Sequence, residues 1–316
     1  MGTVRGAAFA ARNQFGIFDF VTVEGIRLRY FETGAEMPPV VLLHGNGSII
    51  EDFVCSGVMD HAASRFRFIA FDRPGFGYSE RPEGRAWGPS EQAKLLLNAL
   101  ARLDVERPIV VGHSWGALVA LAMALERPEE VAGLVLLSGY YYPVPRTPTV
   151  LASAAFPFTS EVLRHTVRRL MAPETLRRVF APCIVPERFK RAYPLDLATR
   201  VSQMKTVEEE AAGLLHAART LSRAYRNVSV PVHLIAGSDD RIVDTELHSA
   251  RLHRELGNST FHCVAGRGHM VHHAAPDKVI AAIDSISWDR RGIPRIVALD
   301  KSQRSWLHIG ENLAAA

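Results

Sequence analysis

The amino-acid sequence predicts an α/β protein built on one mostly parallel sheet. Short apolar runs alternate with amphipathic helical patterns, which is typical of a parallel sheet. Several of the runs end in glycine-rich loops. With 316 residues, 47% hydrophobic and 22% charged, the chain is long enough for one large domain with a sizeable core. Eight such runs indicate an eight-stranded sheet flanked by helices.

The first two predicted strands form a hairpin. Residues 18–23 and 27–33 alternate polar and apolar side chains around Glu24-Gly25, which is typical of an antiparallel edge with one solvated face. Residues 40–43 are apolar without interruption, as in a strand covered on both faces. The other predicted strands are 66–71, 109–111, 131–137, 232–236 and 259–264.

Helical spacing separates these strands in most of the chain, over 90–103, 115–125, 245–255 and 276–286. Between the sixth and seventh strands the alternation stops. Residues 140–228 contain no buried strand pattern but four helical pieces divided by prolines, at 160–171, 173–180, 186–193 and 207–225. We therefore predict a helical cap over 140–228, inserted after the sixth strand of a core formed by 17–139 and 229–286. Residues 287–316 are a C-terminal extension of unknown role, with some strand character at 296–299.

Charge and cysteine content exclude several classes of function. The net charge is +4, but the basic residues form no tight run with interleaved aromatics, so no nucleic-acid partner is expected. The surplus lies in the predicted cap, where basic residues favour solvated helix faces over an anion site. No apolar run is long enough to span a membrane. Three widely spaced cysteines suggest buried free thiols and a cytoplasmic protein. The expected oligomeric state is a monomer or a homodimer.

One strand-to-helix junction carries a nucleophile. The sequence Gly112-His113-Ser114-Trp115-Gly116 lies between an apolar strand and an alanine-rich helix. In such an elbow the serine has a strained backbone, and side chains at the two glycine positions would collide with neighbouring backbone. Ser114 is thereby presented at the end of the sheet, and the dipole of the helix that begins at Trp115 favours developing negative charge.

A base and a carboxylate follow two later strands. Since chemistry in parallel sheets gathers at the carboxyl ends of strands, the loops after 232–236 and 259–264 are the relevant ones. The first contains Asp239, Asp240 and Asp244, and the second contains His269. The chain order serine, aspartate, histidine is that of α/β-hydrolases.

Four motifs in register make the chain resemble the α/β-hydrolase family with a helical cap, over about residues 18–286. They are His44-Gly45-Asn46-Gly47, Asp72-Arg73-Pro74-Gly75-Phe76-Gly77-Tyr78-Ser79, the serine elbow, and the Gly-x-x-Asp and Gly-His loops. The resemblance implies Ser114 as nucleophile and His269 as base, and the Gly-x-x-Asp spacing selects Asp240 as the orienting acid. It also implies an oxyanion hole formed by the backbone N–H groups of Asn46 and Trp115.

The identity of the nucleophile limits the types of reaction that the chain can catalyse. Haloalkane dehalogenases and epoxide hydrolases resemble the chain too, but they use a carboxylate to attack saturated carbon. A serine favours acyl transfer, so we expect a carboxylesterase for small to medium, mainly apolar substrates. A lactonase, a C–C bond hydrolase, a perhydrolase or haloperoxidase-like enzyme, and a ligand receptor that keeps the triad remain alternatives. The expected partner is a small-molecule ester or lactone, contacted by Tyr140, Tyr141 and Met270.

The remaining polar residues of these motifs have structural interpretations. His44 and His113 are expected to satisfy hydrogen bonds of their loops, and Asp72 and Arg73 to hold their own loop by local hydrogen bonds. His269 is followed by His272 and His273, yet no carboxylate or cysteine set converges on them in the sequence. No metal and no cofactor is therefore predicted.

Overall fold

A computed structural model describes residues 16–34, 38–144, 172–288 and 294–296. The predicted cap helix at 160–171 and most of the C-terminal extension lie outside these residues. Within them the sheet has eight strands: β1 (Ile17–Val23), β2 (Ile26–Gly34), β3 (Pro39–Leu43), β4 (Arg67–Phe71), β5 (Ile109–His113), β6 (Gly133–Leu137), β7 (Val232–Gly237) and β8 (Ser259–Val264).

The sheet order is β1-β2-β4-β3-β5-β6-β7-β8. Strand β2 pairs antiparallel with β1 and β4, and every other neighbouring pair is parallel. Parallel strands need crossover connections, so helices cover both faces. The pleat explains the apolar runs: Val41 and Leu43 enter one core cluster, whereas Val40 and Leu42 enter the cluster on the opposite face. The predicted mostly parallel eight-stranded sheet is confirmed.

The helices outside the segment between β6 and β7 are α1 (Glu51–Ser56), α2 (Pro89–Arg102), α3 (Trp115–Glu126), α8 (Arg251–Glu255), α9 (Val271–Ala274) and α10 (Pro276–Ser285). A π-helical turn, Glu246–Ala250, precedes α8. Helices α2 and α3 pack on one face of the sheet, and α1 and α10 on the other. Helices α1 and α9 had no counterpart in the sequence prediction because they are too short to show a period.

Between β6 and β7 the described residues form α4 (172–180), α5 (Glu187–Ala192), α6 (Leu195–Ala198) and α7 (Val201–Ser222). We call this segment, residues 138–231, the insertion. Helix α7 begins six residues before the predicted start at 207. Its first turns bury the polar residues Gln203, Thr206 and Glu210, so hydropathy gives no signal there.

Two smaller expectations need correction. Only Cys55 is a buried thiol, because Cys183 is half-buried and Cys263 is exposed. In the C-terminal extension, residues Pro294–Ile296 pair antiparallel with Ile286–Trp288 in a separate two-stranded ladder, slightly before the predicted strand. In the parts of the chain that the structure describes, every helix is too short or too polar to cross a membrane.

Candidate active site

The serine elbow joins β5 to α3. Ser114 has φ 53° and ψ −113°, a strained backbone for a residue with a side chain. A Cβ at Gly112 would lie 2.4 Å from the carbonyl oxygen of Gly116, and one at Gly116 would lie 2.2 Å from that of Leu43. Both positions therefore require glycine because backbone approaches them from neighbouring elements.

An aspartate–histidine pair lies at the ends of β7 and β8. His269 Nδ1 donates to Asp240 Oδ2 over 2.8 Å, and the other carboxylate oxygen accepts the N–H groups of Ile242 and Val243. Burial alone raises the pKa of Asp240, but the charge and hydrogen bond of His269 and the two backbone donors outweigh it, so this pKa lies below its usual value. An ionised Asp240 fixes the His269 tautomer with Nδ1 protonated, which leaves Nε2 as a proton acceptor.

The two other candidate acids have different partners. Asp239 is exposed and accepts the hydroxyl of Ser238 over 2.7 Å. Asp244 accepts the N–H of Leu247 over 2.8 Å and so caps the helical turn that follows. Of the three aspartates predicted from the sequence, the structure brings only Asp240 against His269.

His113 connects the elbow to the histidine loop. Its Nε2–H donates to the carbonyl oxygen of His269 over 3.1 Å, and the two imidazole centroids are 4.8 Å apart. Ser114 and His269 make no direct hydrogen bond with each other among the described residues. Such a bond is often long in a ligand-free site and shortens when substrate binds. His113 thus has the loop role expected of it.

The loop after β3 abuts the serine. A Cβ at Gly45 would lie 3.2 Å from Ser114 Cβ, so the two backbones are in close contact. Asn46 follows Gly45, and its Nδ2 donates to the carbonyl oxygen of Val207 in α7 over 3.1 Å. Trp115 begins α3, where N–H groups have no intrahelical acceptor. Trp115 Nε1 and Asn46 Oδ1 are buried without a partner among the described residues.

The predicted substrate contacts fall into two groups. Tyr140 and Tyr141 are buried in the core cluster that includes α3, and the Tyr140 hydroxyl donates to the carbonyl oxygen of Val144. Met270 lines a cavity of about 120 Å³ between the histidine loop and the insertion, together with Phe180 and Ile184. Met270 is therefore next to open space, whereas the two tyrosines are packed as core residues; substrate contact by all three stays a prediction.

A second carboxylate reaches the histidines. Asp52 in α1 is fully buried and accepts Nε2–H of His272 over 3.2 Å and Nε2–H of His273 over 2.7 Å. The expectation that no carboxylate converges on these histidines was wrong, because α1 lies 220 residues away in sequence. Burial raises the pKa of Asp52, but the charges and hydrogen bonds of the two histidines outweigh it and hold this pKa well below its ordinary value.

This cluster also has the residue types of a metal site. Ligand atoms of Asp52, His113 and His272 all lie within 4.8 Å of one another. Asp52 Oδ2 and His272 Nδ1 are buried without a partner among the described residues. Burial lowers the pKa of His272 from its usual value, although the charge and hydrogen bond of Asp52 oppose this effect. The arrangement accounts for a buried carboxylate with two imidazole donors and needs no ion to do so.

Comparison with known proteins shows which family this chain resembles in sequence and in fold. A family model for the α/β hydrolase fold matches residues 38–276. Haloalkane dehalogenase 2 of Mycobacterium tuberculosis is 29% identical over 271 residues, which cover 81% of this chain and 90% of the relative. A 2-hydroxymuconate semialdehyde hydrolase of Pseudomonas sp. is 34% identical over 127 residues, 39% of this chain and 44% of that protein. The solved epoxide hydrolase CorEH superposes with a TM-score of 0.68 at 22% identity, covering 84% of this chain and 96% of that one.

Proposed function

Because the chain belongs to the α/β hydrolase family, we propose that it is a serine hydrolase that cleaves carboxylic esters of small to medium, mainly apolar substrates. The observation that carries the proposal is the pairing of a strained Ser114 elbow with His269, whose Nδ1 donates to Asp240 over 2.8 Å. A nucleophile, a base and an orienting acid that follow three strand ends are the groups that acyl transfer requires.

The proposed reaction proceeds through an acyl-enzyme. Ser114 Oγ attacks the ester carbonyl carbon while His269 Nε2 takes its proton, and the carbonyl oxygen becomes an oxyanion held by the N–H groups of Asn46 and Trp115. The intermediate collapses, and the alcohol leaves with the proton from His269. Water then attacks the acyl group by the same steps in reverse order, which releases the acid and restores Ser114. Each oxyanion donor contributes ~3 kcal/mol to transition-state stabilisation.

A serine nucleophile separates this chain from dehalogenation and epoxide opening, the activities named for two of its relatives. Attack of Ser114 Oγ on saturated carbon would form an ether, which has no carbonyl for water to attack. The enzyme would stop after one turnover. An acyl ester of Ser114 has that carbonyl and is hydrolysed, so the chemistry of the nucleophile favours sp² carbon.

Cleavage of a carbon–carbon bond beside a carbonyl is the second candidate. It is favoured by the identity of 34% to a 2-hydroxymuconate semialdehyde hydrolase, although that match covers only 39% of this chain. The same three residues would serve this reaction, and also lactone opening.

The test compares Ser114→Ala with Ser222→Ala, a control at the far end of α7. Purified proteins are assayed with short p-nitrophenyl esters, lactones and a meta-cleavage dienoate, and labelled with an alkyl fluorophosphonate whose site is mapped by mass spectrometry. We expect S114A to lose roughly 10³-fold or more in kcat, as for other triad residues, and to lose labelling, while S222A keeps both.

Three other outcomes decide between the alternatives. Unchanged ester hydrolysis by S114A would contradict the proposal. Turnover of the dienoate well above that of every ester would establish the C–C hydrolase instead. A wild-type protein that binds these ligands but turns over none of them would identify a receptor.

A further inference from the structure

The side chain of Arg73 packs against the loop after β3, residues 44–47, which we call the oxyanion loop. It is completely buried; its Nε donates to the carbonyl oxygen of His44 over 2.8 Å, and its Nη2 donates to that of Gly45 over 3.1 Å. The sequence predicted local hydrogen bonds for Arg73, but these partners are 28 and 29 residues away. Arg73 therefore supports a different loop from its own.

One of these contacts acts on a catalytic donor. The carbonyl group of Gly45 and the N–H group of Asn46 belong to the same peptide unit. A cationic donor on the oxygen polarises that unit and makes its N–H a stronger hydrogen-bond donor. His44 Nδ1–H also donates to the Gly45 oxygen over 2.8 Å, while its Nε2 accepts the backbone N–H of Arg73 over 3.0 Å. Burial and the charge of Arg73 hold the pKa of His44 well below its usual value, so the imidazole stays neutral.

The counter-charge of Arg73 comes from the insertion. Both carboxylate oxygens of Glu210 in α7 accept from the guanidinium, at 2.5 Å and 3.1 Å, and both side chains are fully buried. Gln92 bridges the pair: its Oε1 accepts from Arg73 Nη1, and its Nε2 donates to Glu210, each over 2.9 Å. The bidentate geometry orients the guanidinium, and with it the two donors that reach the oxyanion loop.

The same helix face also holds Asn46 itself. Its side chain donates to the carbonyl oxygen of Val207, which lies one helical turn before Glu210. One turn earlier again, Gln203 Oε1 accepts the backbone N–H of Gly77 over 2.8 Å. Helix α7 thus contacts the oxyanion loop and the loop of Arg73 through a buried polar face.

Stability alone does not explain such a pair. A buried ion pair costs so much desolvation that well-packed apolar residues in its place are often as stable or more stable. From the contacts to the Gly45–Asn46 peptide we infer that Arg73 and Glu210 are positioning residues for the oxyanion hole. Helix α7 then takes part in transition-state stabilisation as well as covering the site. This inference rests on the proposed serine hydrolysis.

The test compares Glu210→Gln with Glu209→Gln. Glu209 is the adjacent residue, exposed, and paired with Arg81 over 2.8 Å, so it matches Glu210 in everything except the buried contacts. Loss of an interaction made only in the transition state lowers kcat and leaves KM in place. We expect E210Q to lose about 10- to 100-fold in kcat with KM changed by less than about threefold, and E209Q to stay within about twofold of wild type in both.

Two further measurements separate positioning from folding. A trifluoromethyl ketone forms a covalent adduct with the Ser114 hydroxyl, and this adduct carries an oxyanion. Its affinity should fall in E210Q by the same factor as kcat, while the affinity of the product acid stays constant. The double variant R73M/E210L replaces the ion pair with apolar side chains of similar size. We expect it to unfold cooperatively in urea, at a lower midpoint because the His44 carbonyl and Gln92 lose their Arg73 donor. It should lose kcat at least as strongly as E210Q.

Wild-type kcat and ketone affinity in E210Q, or in a folded double variant, would overturn the inference. Such a result leaves the proposed function standing, because the fluorophosphonate still labels Ser114. A wild-type protein without ester turnover and without that label would instead contradict the proposed function itself.

Discussion

The molecule contains two aspartate–histidine arrangements, and they use opposite nitrogens. In the pair at the ends of β7 and β8, His269 donates to Asp240 through Nδ1, so Nε2 is left for a reacting proton. In the buried cluster, His272 and His273 donate to Asp52 through Nε2. The remaining Nδ1 of His272 is buried and unpartnered among the described residues. An aspartate on a histidine is therefore not by itself a catalytic signature.

Their surroundings differ as well. His269 lies at the site formed with Ser114, whereas the side chains of Asp52 and His272 are completely enclosed. Both aspartates have pKa values below the ordinary one, because in each case imidazole donors outweigh the cost of burial. The perturbed pKa is thus common to both arrangements. The proposed catalytic one differs in that Nε2 of His269 makes no hydrogen bond among the described residues and can accept a proton.

The largest expected effect comes from Asp240→Asn. The amide presents an N–H group to His269 Nδ1 and so favours the tautomer that cannot accept the Ser114 proton. We expect kcat on a p-nitrophenyl ester to fall by ~10³- to 10⁴-fold, as for the equivalent change in other triads, with little change in urea unfolding. Activity within tenfold of wild type would show that a different group orients His269.

Asp52→Asn should affect folding and leave catalysis largely in place. A neutral amide oxygen is a weaker hydrogen-bond acceptor for the two buried imidazole groups than a carboxylate is. The amide also adds N–H donors that have no acceptor nearby. We therefore expect a loss of ~2 to 4 kcal/mol in the free energy of unfolding. Urea titration followed by tryptophan fluorescence measures this loss. In folded protein, kcat should remain within a few-fold of wild type. A kcat as low as that of Asp240→Asn would make the buried cluster part of the catalytic machinery.

Acid should destabilise the fold below the usual histidine pKa. Burial lowers the pKa of His44, His113, His272 and His233, the last to about 4. A lowered pKa means that the unfolded chain binds protons which the folded chain does not, so stability falls as pH drops below the unfolded value of about 6.5. The expected slope is up to ~1.4 kcal/mol per pH unit for each such histidine, from urea titrations between pH 7.5 and 5.

Replacing one of these histidines checks the origin of that slope. His233 hydrogen-bonds Ser285 over 2.8 Å. It lies near the start of β7, whereas the loop of Asp240 follows the end of that strand. His233→Gln removes one titrating group. It should reduce the slope of unfolding free energy against pH below 6.5 by the contribution of one histidine, up to ~1.4 kcal/mol per pH unit. A slope equal to that of the wild type would place the acid sensitivity in other groups.

The smallest effect is expected for Asp239→Asn. This side chain is exposed and contacts only Ser238, next to it in sequence, among the described side chains. We expect kcat within about twofold of wild type and a change in unfolding free energy of less than ~0.5 kcal/mol, as for other surface substitutions. A large loss of activity would exchange the roles of Asp239 and Asp240.

The elements that sequence alone predicted are those with a local signal. Apolar runs identified the strands, and the glycines around Ser114 identified the elbow, because backbone sterics there act over five residues. The loops of the candidate acid and of His269 followed from their places after strands, and the Gly-x-x-Asp spacing of the family selected Asp240 among three aspartates. These features need no knowledge of how distant segments meet.

Contacts between distant segments had no such signal. Asp52 meets His272 across 220 residues, and Arg73 meets Glu210 across 137. Nothing near Glu210 in the sequence sets it apart from Glu208 and Glu209, since its partner is fixed only when α7 packs on the core. The early start of α7 was missed for the same reason, because its buried face is polar.

The polar face of α7 also opposes any movement of this helix away from the core. Lifting α7 from the loop of Arg73 would leave a charge buried without its partner, which costs roughly 3 to 5 kcal/mol, so that side opens in fewer than about one molecule in a hundred. At the histidine loop, Phe180 and Met270 line the cavity of about 120 Å³ together with Ile184, which is 84% exposed. Because Ile184 lines this cavity and lies outside the proposed triad, we expect a smaller side chain there to widen the cavity without disturbing the reacting groups.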